Sequence, residues 1–254
     1  MCIFCSKEAD SKEDLFPRWI LKRVKTRHPL YRKLGDSPAT ITEDQEVRIP
    51  CVCVHCNTGW MSRLERKVQR YMGPMVDDFY LSLDKDYQKG LAEWAVKTAM
   101  VNDAVESHQR FFTDAECHAF KADRTMPPGI QVVTGRFTGR SLDADGNDFT
   151  LTTPDGRLIV RGHVFTVMVG HLLMQVMSMH ADREYKGGER VEMECNPGPW
   201  DTTLIQLWEK IYDRVEWPPR ESFSTVNGLH HYANLRYRWR RNTGHRVVTR
   251  RPKS

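Results

Sequence analysis

Apolar residues take up a helical period directly after the stretch CVHCNTG. Trp60, Met61, Leu64, Val68, Tyr71 and Met72 fall on one face, which predicts a helix over about 58–72 that Gly73 and Pro74 end. Residues 76–84 read as a second, short helix. In KGLAEWAVKTAMVNDAV, Leu91, Trp94, Ala95, Thr98, Val101 and Val105 form the stripe of a third, the usual signature of core packing.

The period then changes. IQVVTGRF (130–137), DFTLTT (148–153) and RLIVRGHVFTVMV (157–169) are rich in β-branched residues, and Asp145-Gly146-Asn147 and Pro154-Asp155-Gly156 separate them with turn chemistry. A small antiparallel sheet is expected, punctuated by Gly170, with HLLMQVMSM continuing as a buried helix against one face. DTTLIQLWEKIYDRV has a capping Asp201 or Thr202 and apolar residues at 204, 207, 208, 211, 212 and 215, so it predicts an amphipathic helix stopped by Pro218 and Pro219. Asn227-Gly228 signals a hairpin. Beyond it Leu235, Tyr237 and Trp239 alternate with Arg236, Arg238 and Arg240, as on an extended strand with aromatics on one face and guanidinium groups on the other. The expected class is α+β, divided into an N-terminal module (1–75), a mixed helix and antiparallel-sheet domain (76–222) and a hairpin with a basic arm (223–254).

Composition is ordinary for a globular protein: 254 residues, 40% hydrophobic and 28% charged. The longest apolar stretch, 164–179, contains His171 and Gln175 and falls short of the roughly 20 residues of a membrane span. The N-terminus lacks a basic region followed by an apolar segment, so no membrane association is expected and a cytoplasmic location is. The net charge of +5 conceals an asymmetry: no acid follows Glu221, and eight Lys or Arg between Arg236 and Lys253 leave −3 for the remainder. Such a block is either an arm for a polyanion or a solvated tail.

Seven cysteines stand at 2, 5, 51, 53, 56, 117 and 195, an odd number that argues against a disulfide framework. Cys2 with Cys5 and Cys53 with Cys56 form two C-x2-C pairs. A structural Zn2+ needs four soft ligands, and two intervening residues let both thiolates of a pair face one ion. A redox motif is the rival, but one such motif leaves the second pair unexplained. Cys51 could replace Cys53, though only Cys53 has the knuckle spacing. Cys117 and Cys195 are read as buried apolar residues. A knuckle, a variable middle and a second pair opening a helix make a treble clef, in which the helix dipole favours the thiolate.

CIFC, EDLFPRW, CVHCNTGWMSRLE and LAEWAVKTAM together resemble bacterial and phage HNH endonucleases of the zinc-supported branch of the His-Me finger superfamily, over roughly residues 1–105. The resemblance implies a ββα-metal-like module in which an acid on the first strand, here Glu13, binds a catalytic Mg2+ or Mn2+ and a helix-start residue, here Asn57, completes its shell. Hard oxygen ligands suit such ions. Asp14 stands where the family carries its general-base His, and 30–52 contain no Asn to orient one. An ordinary Asp titrates about three units below neutral pH. His55 and the pair His230 and His231 are the candidates for a rebuilt base. For Glu13 and Asp14 the plain alternative is a solvated turn or helix cap.

Trp19 and Trp60 read as core residues rather than base-stacking ones. The stretch 18–33 is basic without an acid, so Arg18, Lys22, Arg23, Lys25 and Arg27, with Arg236, Arg238, Arg240 and Arg241 at the far end, are candidate contacts to DNA or another nucleic acid. Three functions follow: a metal-dependent endonuclease with an altered site, a non-catalytic nucleic-acid binder, or a module for a protein partner, such as a phage-borne factor.

Overall fold

The computed structural model describes residues 1–24, 30–32, 40–42, 46–105, 110–152, 158–181, 191–194, 203–223 and 238–241. It is a mixed α+β protein with antiparallel sheets. The N-terminal part comprises β1 (Ser11–Asp14), α1 (Arg18–Arg23), β2 (Leu30–Arg32), β3 (Thr40–Thr42), β4 (Arg48–Val52), α2 (Val54–Cys56) and α3 (Ser62–Val76). A π-turn over Asn57–Met61 joins the last two, with Gly59 off the helical backbone. β5 (Leu81–Asp84), α4 (Lys85–Asp103) and α5 (Asp114–Asp123) lead to two long strands, β6 (Gln131–Thr152) and β7 (Leu158–Ala181). β8 (Val191–Glu194), β9 (Leu204–Trp208), β10 (Arg214–Trp217) and β11 (Arg238–Arg241) complete the described elements. β1 pairs with β4, β2 with β3, β5 with β10 and β8 with β11, and β6 lies between β7 and β9. None of the described helices is long and apolar enough to cross a membrane.

One apolar cluster runs from Cys2, Phe4 and Trp60 through Trp94 and Met100 to Val176 and Trp217. α4 sits in its middle, against α3 on one side and β6, β7 and β9 on the other. The stripe predicted for it is therefore only part of its buried surface, because nearly every residue from Gly90 to Val101 is covered. Cys117 is buried in α5, as expected, and Cys195 lies outside the described residues.

Several elements differ from the sequence expectation. α3 does not stop at Gly73 and Pro74. Met75 and Val76 are fully buried, so one more turn is held by packing, and the chain leaves it through Asp78 in the left-handed region (φ 67). The helix expected over 76–84 is thus the end of α3 followed by β5, which takes its partner from β10. Asp145-Gly146-Asn147 is not a turn, since Gly146 pairs with Phe165 inside β6. A Cβ at Gly146 would meet Asn102 Nδ2 at 2.5 Å, so the glycine serves a close approach of α4.

HLLMQVMSM is strand, not helix. It is covered on both faces and has lost the alternation that distinguishes strand from buried helix. Gly170 (φ +62) marks a bulge where four residues of β6, 137–140, oppose His171 alone. A side chain at 170 would strike Val76 O at 2.3 Å. The helix expected over 201–215 is instead β9 and β10. The fully buried Gln88 donates to Tyr212 O (2.9 Å) and accepts from Tyr212 N (3.0 Å), giving the connection between these strands its backbone partners without a helix. The turns at 154–156 and 227–228 fall outside the described residues.

Candidate metal centre and the adjoining acid strand

The N-terminal knuckle is a backbone object. Cys2 N–H donates to Lys7 O, Cys5 N–H to Cys2 O, and Ile3 N–H to Cys51 O, which fastens the knuckle to β4. The second knuckle opens α2: Cys56 N–H donates to Cys53 Sγ (3.4 Å), and Asp10 Oδ1 accepts from Val54 N–H (2.7 Å). Cys2, Cys5, Cys53 and Cys56 thereby bring all four Sγ atoms within 4.8 Å of one another.

Cys5 Sγ lies 3.6 Å from Cys53 Sγ and 3.7 Å from Cys56 Sγ. A disulfide needs about 2.05 Å. Four thiolates about 2.3 Å from a tetrahedral ion stand about 3.8 Å apart, so the spacing fits a metal and not a bridge. The cluster is positioned to hold one metal ion, consistent with structural zinc. Burial pushes the Cys2 and Cys56 thiols up, whereas at Cys5 the Lys7 backbone amide and the other thiols outweigh burial and bring it to about 7. Cys51 is buried and pushed to about 12, and it lies outside the cluster. His55 is an exposed spacer within the knuckle.

Glu13 and Asp14 do sit on the first strand after the knuckle, where alternate side chains point to opposite faces. Glu13 turns inward and accepts from Lys97 Nζ at 2.7 Å, and Glu65 Oε1 lies 3.5 Å from the same ammonium. Lys97 is completely buried, yet the two carboxylates outweigh desolvation and hold its pKa above the ordinary value. Burial raises Glu65 against the pull of Lys97. Asp14 turns outward to Arg48 Nε at 3.2 Å. Asn57 does reach β1, but as a donor, its Nδ2 lying 2.9 Å from both Ser11 Oγ and Lys12 O.

Of the residues expected to serve a catalytic ion, Glu13 is thus paired with Lys97, Asp14 faces outward to Arg48, and Asn57 reaches β1 through its Nδ2. Among the described residues the cysteine cluster is the single group of three or more His, Cys, Asp or Glu placed to share an ion. Lys97 and Glu65 were missed in the sequence. Lys97 lies three residues after Trp94 on an apolar helix face, and a charge inside such a stripe is the signal for a buried pair.

Outward from β1 lies an open groove of about 580 Å³ lined by Asp10, Ser11, Lys12, Asp14, Arg18 and Arg48, among others. Arg18 stands 4.0 Å from Glu46, Arg23 is paired with Asp77, and Lys22 is exposed. Lys25, Arg27 and Arg236 lie outside the described residues, as do His230 and His231. Arg238, Arg240 and Arg241 are in β11, opposite Glu194, Glu192 and Val191 of β8. Trp60 is core: it meets Phe4 edge-on at 4.9 Å, with the Arg124 guanidinium 4.1 Å over its ring. Trp19 is partly buried against the same cluster.

No family model, no curated protein and no solved structure matches the chain.

Proposed function

We propose that the N-terminal module is a zinc treble clef of HNH-like ancestry that binds nucleic acid without cutting it. The observation that carries the reading is the Lys97 ammonium between Glu13 and Glu65. An amine there supplies inside the protein the positive charge that a divalent ion would bring, and it consumes the carboxylate such an ion needs. Zinc is the ion that four thiolates at tetrahedral spacing favour, and its role is structural because all four positions are filled by protein. Nucleic acid is favoured as partner by the acid-free C-terminal block.

One observation favours the second reading, a metal-dependent nuclease: Asn57 does come against β1, as an HNH site requires. The two readings separate in a plasmid-nicking assay with Mg2+, Mn2+ or EDTA, run beside a duplex-binding measurement. Binding without nicking is expected. Metal-dependent nicking by the wild type that disappears in Glu13→Gln would reverse the conclusion.

A further inference from the structure

We infer that the outward face of α3 is the surface on which this protein meets the phosphate backbone of duplex nucleic acid. The inference rests on the nucleic-acid reading above and supplies its location. Arg63, Arg66, Lys67 and Arg70 are all exposed on α3, at helical offsets 0, 3, 4 and 7, so they share one face. The helix has a single acid, Glu65, and that carboxylate is turned inward to Lys97. Among the described residues none of the four basic side chains has an ion-pair partner.

Stability alone does not favour such a face. Pairs 63–66, 63–67, 66–70 and 67–70 set like charge against like charge at the spacings where repulsion weakens a helix. Arg124 extends the patch, since its guanidinium stands 4.1 Å from the Trp60 ring centroid and 5.6 Å from that of Phe120 and feels Arg63 as a like charge. Glu93, the acid that feels Lys67, Lys89 and Arg124, is buried. A polyanion relieves the repulsion by occupying the space between these charges.

The geometry suits a duplex. Arg63 to Arg70 spans about 10 Å along the helix axis, at 1.5 Å per residue. Duplex grooves are about 6 and 12 Å wide, so side chains at the two ends of the stripe reach phosphates on opposite rims. The cysteine cluster fixes the helix immediately before this face, and α4 fixes it from behind. An anionic membrane or an acidic protein would meet the same charges, but neither repeats its charge at groove spacing.

The test uses the full-length, zinc-loaded chain and a fluorescein-labelled duplex of arbitrary sequence, with affinity measured across a salt series. Neutralising Arg63, Arg66, Lys67 and Arg70 to Gln should weaken binding on the order of a hundredfold at low salt and flatten the slope of log K against log salt by about 3 to 4. Replacing the three arginines by Lys should retain most of the slope. Circular dichroism and zinc content establish that each variant is folded. If the Gln variant binds within about twofold of wild type at an unchanged slope, while substitution of Arg18 and Lys22 abolishes binding, the location is wrong and the nucleic-acid reading stands. If the wild type retains no duplex, or prefers anionic vesicles or an acidic polypeptide to it, both are overturned.

Discussion

The cysteine module and the β6–β7 ribbon become ordered by opposite means. Among the described residues before α3 the regular elements are short, with β1 only four residues long and α1 six, and beside their apolar core a few side chains of fixed valence hold them: four thiols, one buried ammonium, Asp10 and Asn57. The ribbon consists of strands of 22 and 24 residues joined by a backbone ladder and covered by aliphatic side chains. An order held by a few point attachments fails when one is removed, whereas a ladder loses stability in small increments. The two regions nevertheless share one core through α4, so any perturbation asks whether they also share one unfolding transition.

Removing the metal should have the largest effect. Structural zinc contributes an apparent 10–16 kcal/mol in zinc-finger peptides, roughly the whole stability of a domain. Chelation, or Cys5→Ser with Cys56→Ser, is expected to expose the amides of residues 1–76 to hydrogen exchange while central β6 and β7 amides keep their protection. Loss of protection in both regions at the same chelator concentration would merge them into one cooperative unit. Full protection of the N-terminal amides without metal would remove the thiol cluster from the account altogether.

Lys97→Met comes next. It leaves the buried Glu13 and the partly buried Glu65 without a counter-charge, and breaking a buried pair from one side costs about 3–5 kcal/mol. Urea unfolding should show that loss, and the triple variant with Glu13→Gln and Glu65→Gln should recover most of it, because the three groups act as one. A cost below about 1 kcal/mol for Lys97→Met would mean that water, not Lys97, satisfies Glu13. This pair also bears on alkaline stability. A lysine raised in the fold stabilises wherever it is charged in both states, and its contribution is lost as pH rises through the raised value.

The same contrast explains what the sequence disclosed. The thiol cluster was legible because its chemistry is local: two residues between cysteines, repeated, admit few arrangements. The helical stripe of α3 and the position of α4 were legible for a related reason, since period 3.6 is written within one element. β7 was misread after Gly170 because its periodicity is erased when both faces are covered, and the information that it is strand resides in β6, some forty residues earlier. The apolar spacing at 204, 207 and 208 imitated a helix while Gln88, more than a hundred residues away, supplied the backbone partners of Tyr212. The pairing of Glu13 was hidden in the same way, its partner Lys97 being 84 positions distant.

Gly170 tests the junction between the regions. Its left-handed backbone and the carbonyl of Val76 together exclude a side chain. Gly170→Ala should cost about 1–3 kcal/mol for the backbone alone, with more if α3 must shift. Thermal unfolding measures the total. Hydrogen exchange at the C-terminus of α3, compared with the middle of the ribbon, shows which side yields. An unchanged melting temperature would mean that the bulge is not pinned against α3.

The smallest effect belongs to the ion pair that ties the same junction together from outside. Arg136, at the edge of the bulge, donates through Nε to Asp78 Oδ1 at 2.6 Å and holds this carboxyl below the usual range. A carboxyl depressed in the fold stabilises where the unfolded chain is already ionised, above about pH 4, and that contribution is lost as pH falls through the folded value. The pair is partly exposed, so Asp78→Asn should cost about 0.2–1 kcal/mol near neutral pH. Its value as a test lies in the slope. Plotted against pH, the stability of the variant should run parallel to wild type above about pH 5 and converge on it below about pH 4. Curves that stay parallel into acid would show that Asp78 contributes by hydrogen bonding alone and that its charge has no part in joining α3 to the ribbon.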